Sequence, residues 1–133
     1  MKTARLRYSF MCDDVRLEVG QKFSLMGIFQ TIFFPSFPSV VVKFAVVNHW
    51  EGQGEFETQV KILNPPGKEI VASVPTTFMI ADQGHADNIT FFANVIFDQP
   101  GTYTLQVFLG GDLVEESPLH VRPMQGEAPG MVN

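Results

Sequence analysis

The chain has 133 residues, enough for one domain with a sizeable core, and its 45% apolar fraction with 13 phenylalanines suits a folded chain. Fourteen acidic against nine basic residues leave a net charge of -5, and Lys2, Arg5 and Arg7 are the one basic concentration, which argues against nucleic acid and anionic membrane as partners. A single cysteine excludes an internal disulfide, no window approaches the ~18 apolar residues of a membrane helix, and Arg5 and Arg7 interrupt any signal-like apolar run, so the expectation is a reduced, cytoplasmic, uninserted protein.

Period-2 alternation broken by Pro and Gly turns recurs along the chain, and no segment has a helical period. Leu6, Tyr8, Phe10 and Cys12 alternate with Arg7, Ser9 and Met11 as a first strand, which Asp13-Asp14 is expected to end in a turn. The run Phe23–Phe34 is apolar on both faces and stops at Pro35-Ser36-Phe37-Pro38. Val40–Trp50 is a third strand, followed by a turn at Glu51-Gly52-Gln53-Gly54-Glu55. Phe56, Thr58, Val60 and Ile62 then alternate with Glu57, Gln59 and Lys61, a strand with one buried face.

Asn64-Pro65-Pro66-Gly67 reads as a turn, because Pro fixes φ and Gly permits positive φ. Ile70, Ala72 and Val74 follow, then Phe78 and Ile80, then a polar loop Ala81–Asp87. Ile89, Phe91, Ala93, Val95 and Phe97 are the expected core face of the next strand, and Tyr103, Leu105, Val107 and Leu109 that of the one after it. Gly110-Gly111-Asp112 predicts a tight hairpin. In the last strand Val114 and Leu119 have opposite parity, which predicts a bulge near Glu116-Ser117-Pro118. The domain is expected to span 1–122, with 123–133 a flexible C-terminal tail.

Residues 97–105, F-D-Q-P-G-T-Y-T-L, resemble the E–F corner of immunoglobulin-like sandwiches. Asp98, Gly101 and Tyr103 match its turn and its tyrosine, whose hydroxyl bonds back to the turn backbone. Leu105 stands where antibody domains place a disulfide cysteine. The resemblance therefore implies an all-β, immunoglobulin-like antiparallel sandwich of about seven to nine strands with no disulfide. Residues 12–29, C-D-D-V-R-L-E-V-G-Q-K-F-S-L-M-G-I-F, resemble the opening of a family of small uncharacterised bacterial proteins. The likeness continues through Phe37-Pro38, P-G-T-Y and P-L-H-V. It implies a fold, and it carries no activity and no catalytic residues.

Cys12 is in phase with the core positions, and its two neighbouring carboxylates disfavour a thiolate, so it reads as a small buried hydrophobe rather than a nucleophile. Asp13, Asp14 and Glu18 offer three carboxylates, without the alternating spacing of a calcium loop. Arg16 is expected to neutralise one of them. His85 between Asp82 and Asp87 lacks a second histidine nearby in sequence and reads as part of a solvated loop. No cofactor and no metal site is assigned.

Binding candidates are Asp13, Asp14, Arg16, Glu18, His49, Trp50 and His85. Met26, Ile28, Ile32 and Phe34, with Phe92 and Ile96, form an apolar surface that asks for a cover, either a second copy of the chain or the chain's own terminal segments. The leading expectation is a non-enzymatic module that binds a protein partner or itself. The alternative is small-ligand or carbohydrate binding at one end of the sandwich through His49, Trp50 and His85, although a single Trp with no partner aromatic reads better as a cap on the core. An enzyme comes last, for want of an acid–base constellation.

Overall fold

A computed structural model describes residues 3–125, with backbone alone for Asp82 and Gln83. Among the described residues every regular element is a strand: β1 (Thr3–Glu18), β2 (Lys22–Phe29), β3 (Thr31–Phe34), β4 (Ser39–Leu63), β5 (Glu69–Ala72), β6 (Thr76–Phe97), β7 (Gly101–Leu109) and β8 (Asp112–Pro123). They form one sheet in the order β2-β1-β4-β7-β8-β3, with β5 and β6 along the other edge of β4. Pairing is antiparallel throughout, except that β3 runs parallel to β8, a departure from the all-antiparallel expectation.

β4 serves both halves of the sheet. Its first part pairs with β1 and β6, and its last residues pair with β5 and β7. The turn expected at Glu51–Glu55 is therefore a bend inside one long strand. Gly52 and Gly54 have φ of 145° and 119°, and the register against β6 shifts between them. Glycine tolerates this geometry where a Cβ would not. At Gly52 a Cβ would also collide with the Thr3 carbonyl oxygen.

The core lies between the two halves. Phe44 and Val46 of β4, with Phe92, Val95 and Phe97 of β6, meet Val60, Ile62, Tyr103, Leu105, Leu119 and Val121. Phe92 was expected outside and sits inside. Asn94, with φ of 55°, changes the side-chain phase of β6, so Phe92 on one side of it and Val95 and Phe97 on the other all reach the core, while Phe91 is half exposed. A second cluster lies on the outer face of β4, where Val15, Phe23 and Leu25 of the β1–β2 hairpin cover Cys12, Ala45 and Val47. The apolar outer face there is thus covered within the chain.

Three more sequence expectations change. β1 runs straight through Asp13-Asp14, and the chain turns after Glu18, at Gly20 and Gln21, whose φ values are 90° and 61°. The Phe23–Phe34 run is two strands broken at Gln30. The bulge of the last hairpin falls at Val114 instead of Glu116–Pro118, because Phe108 pairs with Leu113 and Val107 with Glu115. The expected turns are present at Asn64–Gly67, where Gly67 N donates to Asn64 O at 2.8 Å, and at Gly110-Gly111. β8 continues to Pro123, and Met124 N donates to Phe34 O at 2.7 Å. The rest of the expected tail, from 126, lies outside the described residues.

Candidate functional site

The β1–β4–β6 part of the sheet lays its outer face out in rows. Arg5, Glu51 and His85 form one row, Tyr8, His49 and Asp87 the next, and Phe10, Val47 and Ile89 the third. Side chains in one row of a sheet stand near each other whatever their separation in sequence. The segment expected to be a loop around His85 is strand, which brings His85 beside His49.

His49 Nδ1 and Asp87 Oδ1 are 2.6 Å apart, with the two side chains 17% and 23% exposed. Tyr8 stacks flat on the His49 ring, with centroids 4.8 Å apart and planes 5° apart. The His85 ring lies 5.2 Å from that of His49 on another side. One ligand atom from each of His49, His85 and Asp87 lies within 4.8 Å of the others. Burial, with the negative charge of Asp87, holds the Tyr8 hydroxyl above the usual phenol range. In the adjoining row Glu51 accepts from Arg7 at 3.0 Å and faces Arg5 at 3.5 Å. Arg5, Glu51, Gly52, Gly84 and His85 line a shallow depression beside the histidines.

Of the other predicted binding residues, Trp50 is 1% exposed and faces the opposite way, into a cluster with Phe78, Ile80 and Val107. It offers no surface for a sugar, and the core reading of Trp50 is the one the structure shows. Asp14 accepts from the Val15 backbone N–H at 2.9 Å and pairs with Lys43 at 3.2 Å. Lys43, not Arg16, is thus its short-range counter-ion, because β1 places the row of Asp14 next to β4 beyond Ala45. The Val15 hydrogen bond and Lys43 hold the Asp14 carboxyl below its ordinary range. Glu18 accepts from Ser24 Oγ at 2.7 Å. Asp13 faces Gly27, whose missing Cβ leaves room for its carboxylate. These residues are spread along a hairpin rather than gathered around one point. Cys12 is fully buried, and burial followed by Asp13 pushes its thiol up, as the sequence implied.

The interface candidates divide. Phe34 and Phe92 are core residues, and Ile32 packs against that core. Met26, Ile28 and Ile96 stay exposed, as do Phe33, Val40, Val42 and Phe91, which were not singled out. Tyr103 donates its hydroxyl to Gln99 O at 2.8 Å, within the segment that also holds Asp98 and Gly101. Sequence reasoning missed Tyr8, Glu51 and Asp87 as members of the His49 neighbourhood. Only the registers of β4 with β1 and with β6 could have found them.

Fold and site together define a small all-β domain with a histidine–carboxylate cluster on one outer face and an apolar strip beside it. The chain belongs to a family of unknown function, DUF6941, whose sequence profile matches residues 7–122. No curated protein matches it. Among solved structures it is similar to the alkylpurine DNA glycosylase AlkC of Pseudomonas fluorescens bound to DNA containing an abasic site analog. The TM-score is 0.47 at 9% identity, over 70% of this chain and 28% of that one. This chain thus spans under a third of that protein's length. No helix among the described residues is long and apolar enough to cross a membrane.

Proposed function

We propose that this chain is a non-enzymatic, immunoglobulin-like interaction module that pairs with a second copy of itself along the outer edge of β6. The carrying observation is the state of that edge. β6 has 22 residues, and its strand partner among the described residues is β4, on one side only. Edge strands are usually blunted by charge, proline or short length. The stretch Ile89-Thr90-Phe91-Phe92-Ala93-Asn94-Val95-Ile96-Phe97 carries no charge and no proline. Phe91 and Ile96 are half exposed beside this edge, and Val40, the partner of Ile96 across the ladder, is 52% exposed. A strand that offers the same unpaired edge on both copies can pair antiparallel about a twofold axis, which closes the edge and buries both apolar flanks.

The immunoglobulin-like reading rests on the Tyr103 turn bond, on β4 pairing with β6 in one half and with β7 in the other, and on β8 beside β7. A buried lone thiol suits a reducing, cytoplasmic setting. Light scattering at micromolar concentration tests the proposal. A dimer that Ile96→Lys converts to monomer is expected. A wild-type chain that stays monomeric overturns it.

A further inference from the structure

We propose that His49, His85 and Asp87 form a binding site for a divalent first-row transition-metal ion of the zinc, cobalt or nickel kind. Two of the three histidines in the chain meet here, supplied by two strands through a register fixed by long-range pairing. Imidazole with one carboxylate is a donor set that suits such ions, and hard cations that prefer oxygen alone fit it less well. Ligand atoms around a tetrahedral ion with bonds of 2.0–2.1 Å stand about 3.4 Å apart. The 4.8 Å limit on the spread of the three donors leaves only a small contraction, and the 2.6 Å His49–Asp87 contact needs a small opening. Side-chain rotation of the exposed His85 supplies the first of these movements.

The surroundings favour an ion. Tyr8 fixes the plane of the His49 ring by stacking, which reduces the entropy lost when the imidazole binds. His49 then takes the tautomer with its proton on Nε2, and the Nδ1 lone pair points toward Asp87 and the ion. Glu51 pairs with both Arg5 and Arg7 and offsets one of their two positive charges, which lowers the repulsion a cation meets from the row next to the site. Three protein ligands leave at least one coordination position open. The depression lined by Arg5, Glu51, Gly52, Gly84 and His85 adjoins it, so that position faces solvent and takes water or a small anion.

The test uses the full chain after chelator treatment. Titration with Co²⁺ reads visible d–d absorption, and titration with Zn²⁺ reads heat. One ion per chain at micromolar concentration is expected. His85→Ala is the cleanest variant, because His85 is exposed and its loss is expected to leave the fold intact. It is expected to weaken binding by roughly tenfold or more, at least the loss known for residues that merely support a ligand. Asp87→Asn is expected to weaken binding as well. His120→Ala removes the third histidine, which lies on β8 near Arg122 and Thr102, and should leave binding unchanged. Absence of binding below millimolar concentration overturns the proposal, and so does binding that survives His85→Ala.

Discussion

His49 and Asp87 are 38 residues apart in sequence and 2.6 Å apart in space, because β4 and β6 place them directly opposite one another in the ladder. A partly buried hydrogen bond to a charged carboxylate contributes about 1–2 kcal/mol net, and removal of one partner leaves the other poorly solvated. We predict that His49→Ala and Asp87→Ala each lower stability by about 1–2 kcal/mol, and that the double variant costs clearly less than the sum. Urea unfolding of the four chains, with no metal added, measures this coupling. Strict additivity would mean that the pair does not interact in solution.

The bend in β4 makes a second prediction. Gly52 combines a φ of 145° with a backbone oxygen, that of Thr3, in the place of a Cβ. Gly67, in the Asn64–Gly67 turn, has a φ of 101° with open space around it. Both substitutions to alanine impose conformational strain, but only the first adds a collision with main chain that cannot rotate away. Gly52→Ala should cost about 3 kcal/mol or more, against about 1 kcal/mol for Gly67→Ala. Equal losses in thermal unfolding would show that the β1–β4 contact yields easily.

The contrast between these glycines also marks where sequence reading stops. The one-sided alternation of Phe56–Ile62 and of Tyr103–Leu109 made their buried faces legible, as did the compositions of Asn64–Gly67 and Gly110-Gly111. Each of these signals is local. The glycines at 52 and 54 read as a turn because the same residue type serves a turn and a bend inside a strand, and only the partner strands decide between them. Asp13-Asp14 read as a turn for a similar reason, since the pairing with β2 that keeps them extended is not written in their own types. Asn94 gave no sign of the phase change that takes Phe92 inside. The histidine cluster was illegible because it exists only through the register of β4 with β6.

Asp14 gives a prediction in pH. Its folded carboxyl lies below its ordinary value of 3.8, first through the Val15 N–H and then through Lys43. A lowered folded value means that the ionised form is favoured in the fold. The stability it contributes is therefore complete above the unfolded value and is lost as pH falls through the folded one. Asp14→Asn should melt slightly below wild type at neutral pH, by a small amount because the pair is exposed. The gap should stay constant down to about pH 5 and close under more acidic conditions. A gap that persists in strong acid would assign the effect to the side-chain amide and not to charge.

Tyr103 is 1% exposed, packs edge-on against Phe97 with centroids 5.1 Å apart, and donates to Gln99 O at 2.8 Å. The hydroxyl ties the start of β7 to the turn that leaves β6, the crossing point between the two halves of the sheet. Tyr103→Phe keeps the ring and its packing while it removes the donor, so the carbonyl of Gln99 loses its protein partner. A cost of about 1 kcal/mol is expected, the usual net value of one hydrogen bond, which in a chain of this size lowers the melting temperature by a few degrees. Tyr103→Ala opens a cavity among Phe97, Leu105 and Leu119 and should cost about 3–5 kcal/mol. The ratio of the two losses separates the bond from the packing. If Tyr103→Phe were neutral while Tyr103→Ala remained severe, the corner would be held by the ring alone, and the hydrogen bond would carry no weight in the immunoglobulin-like reading.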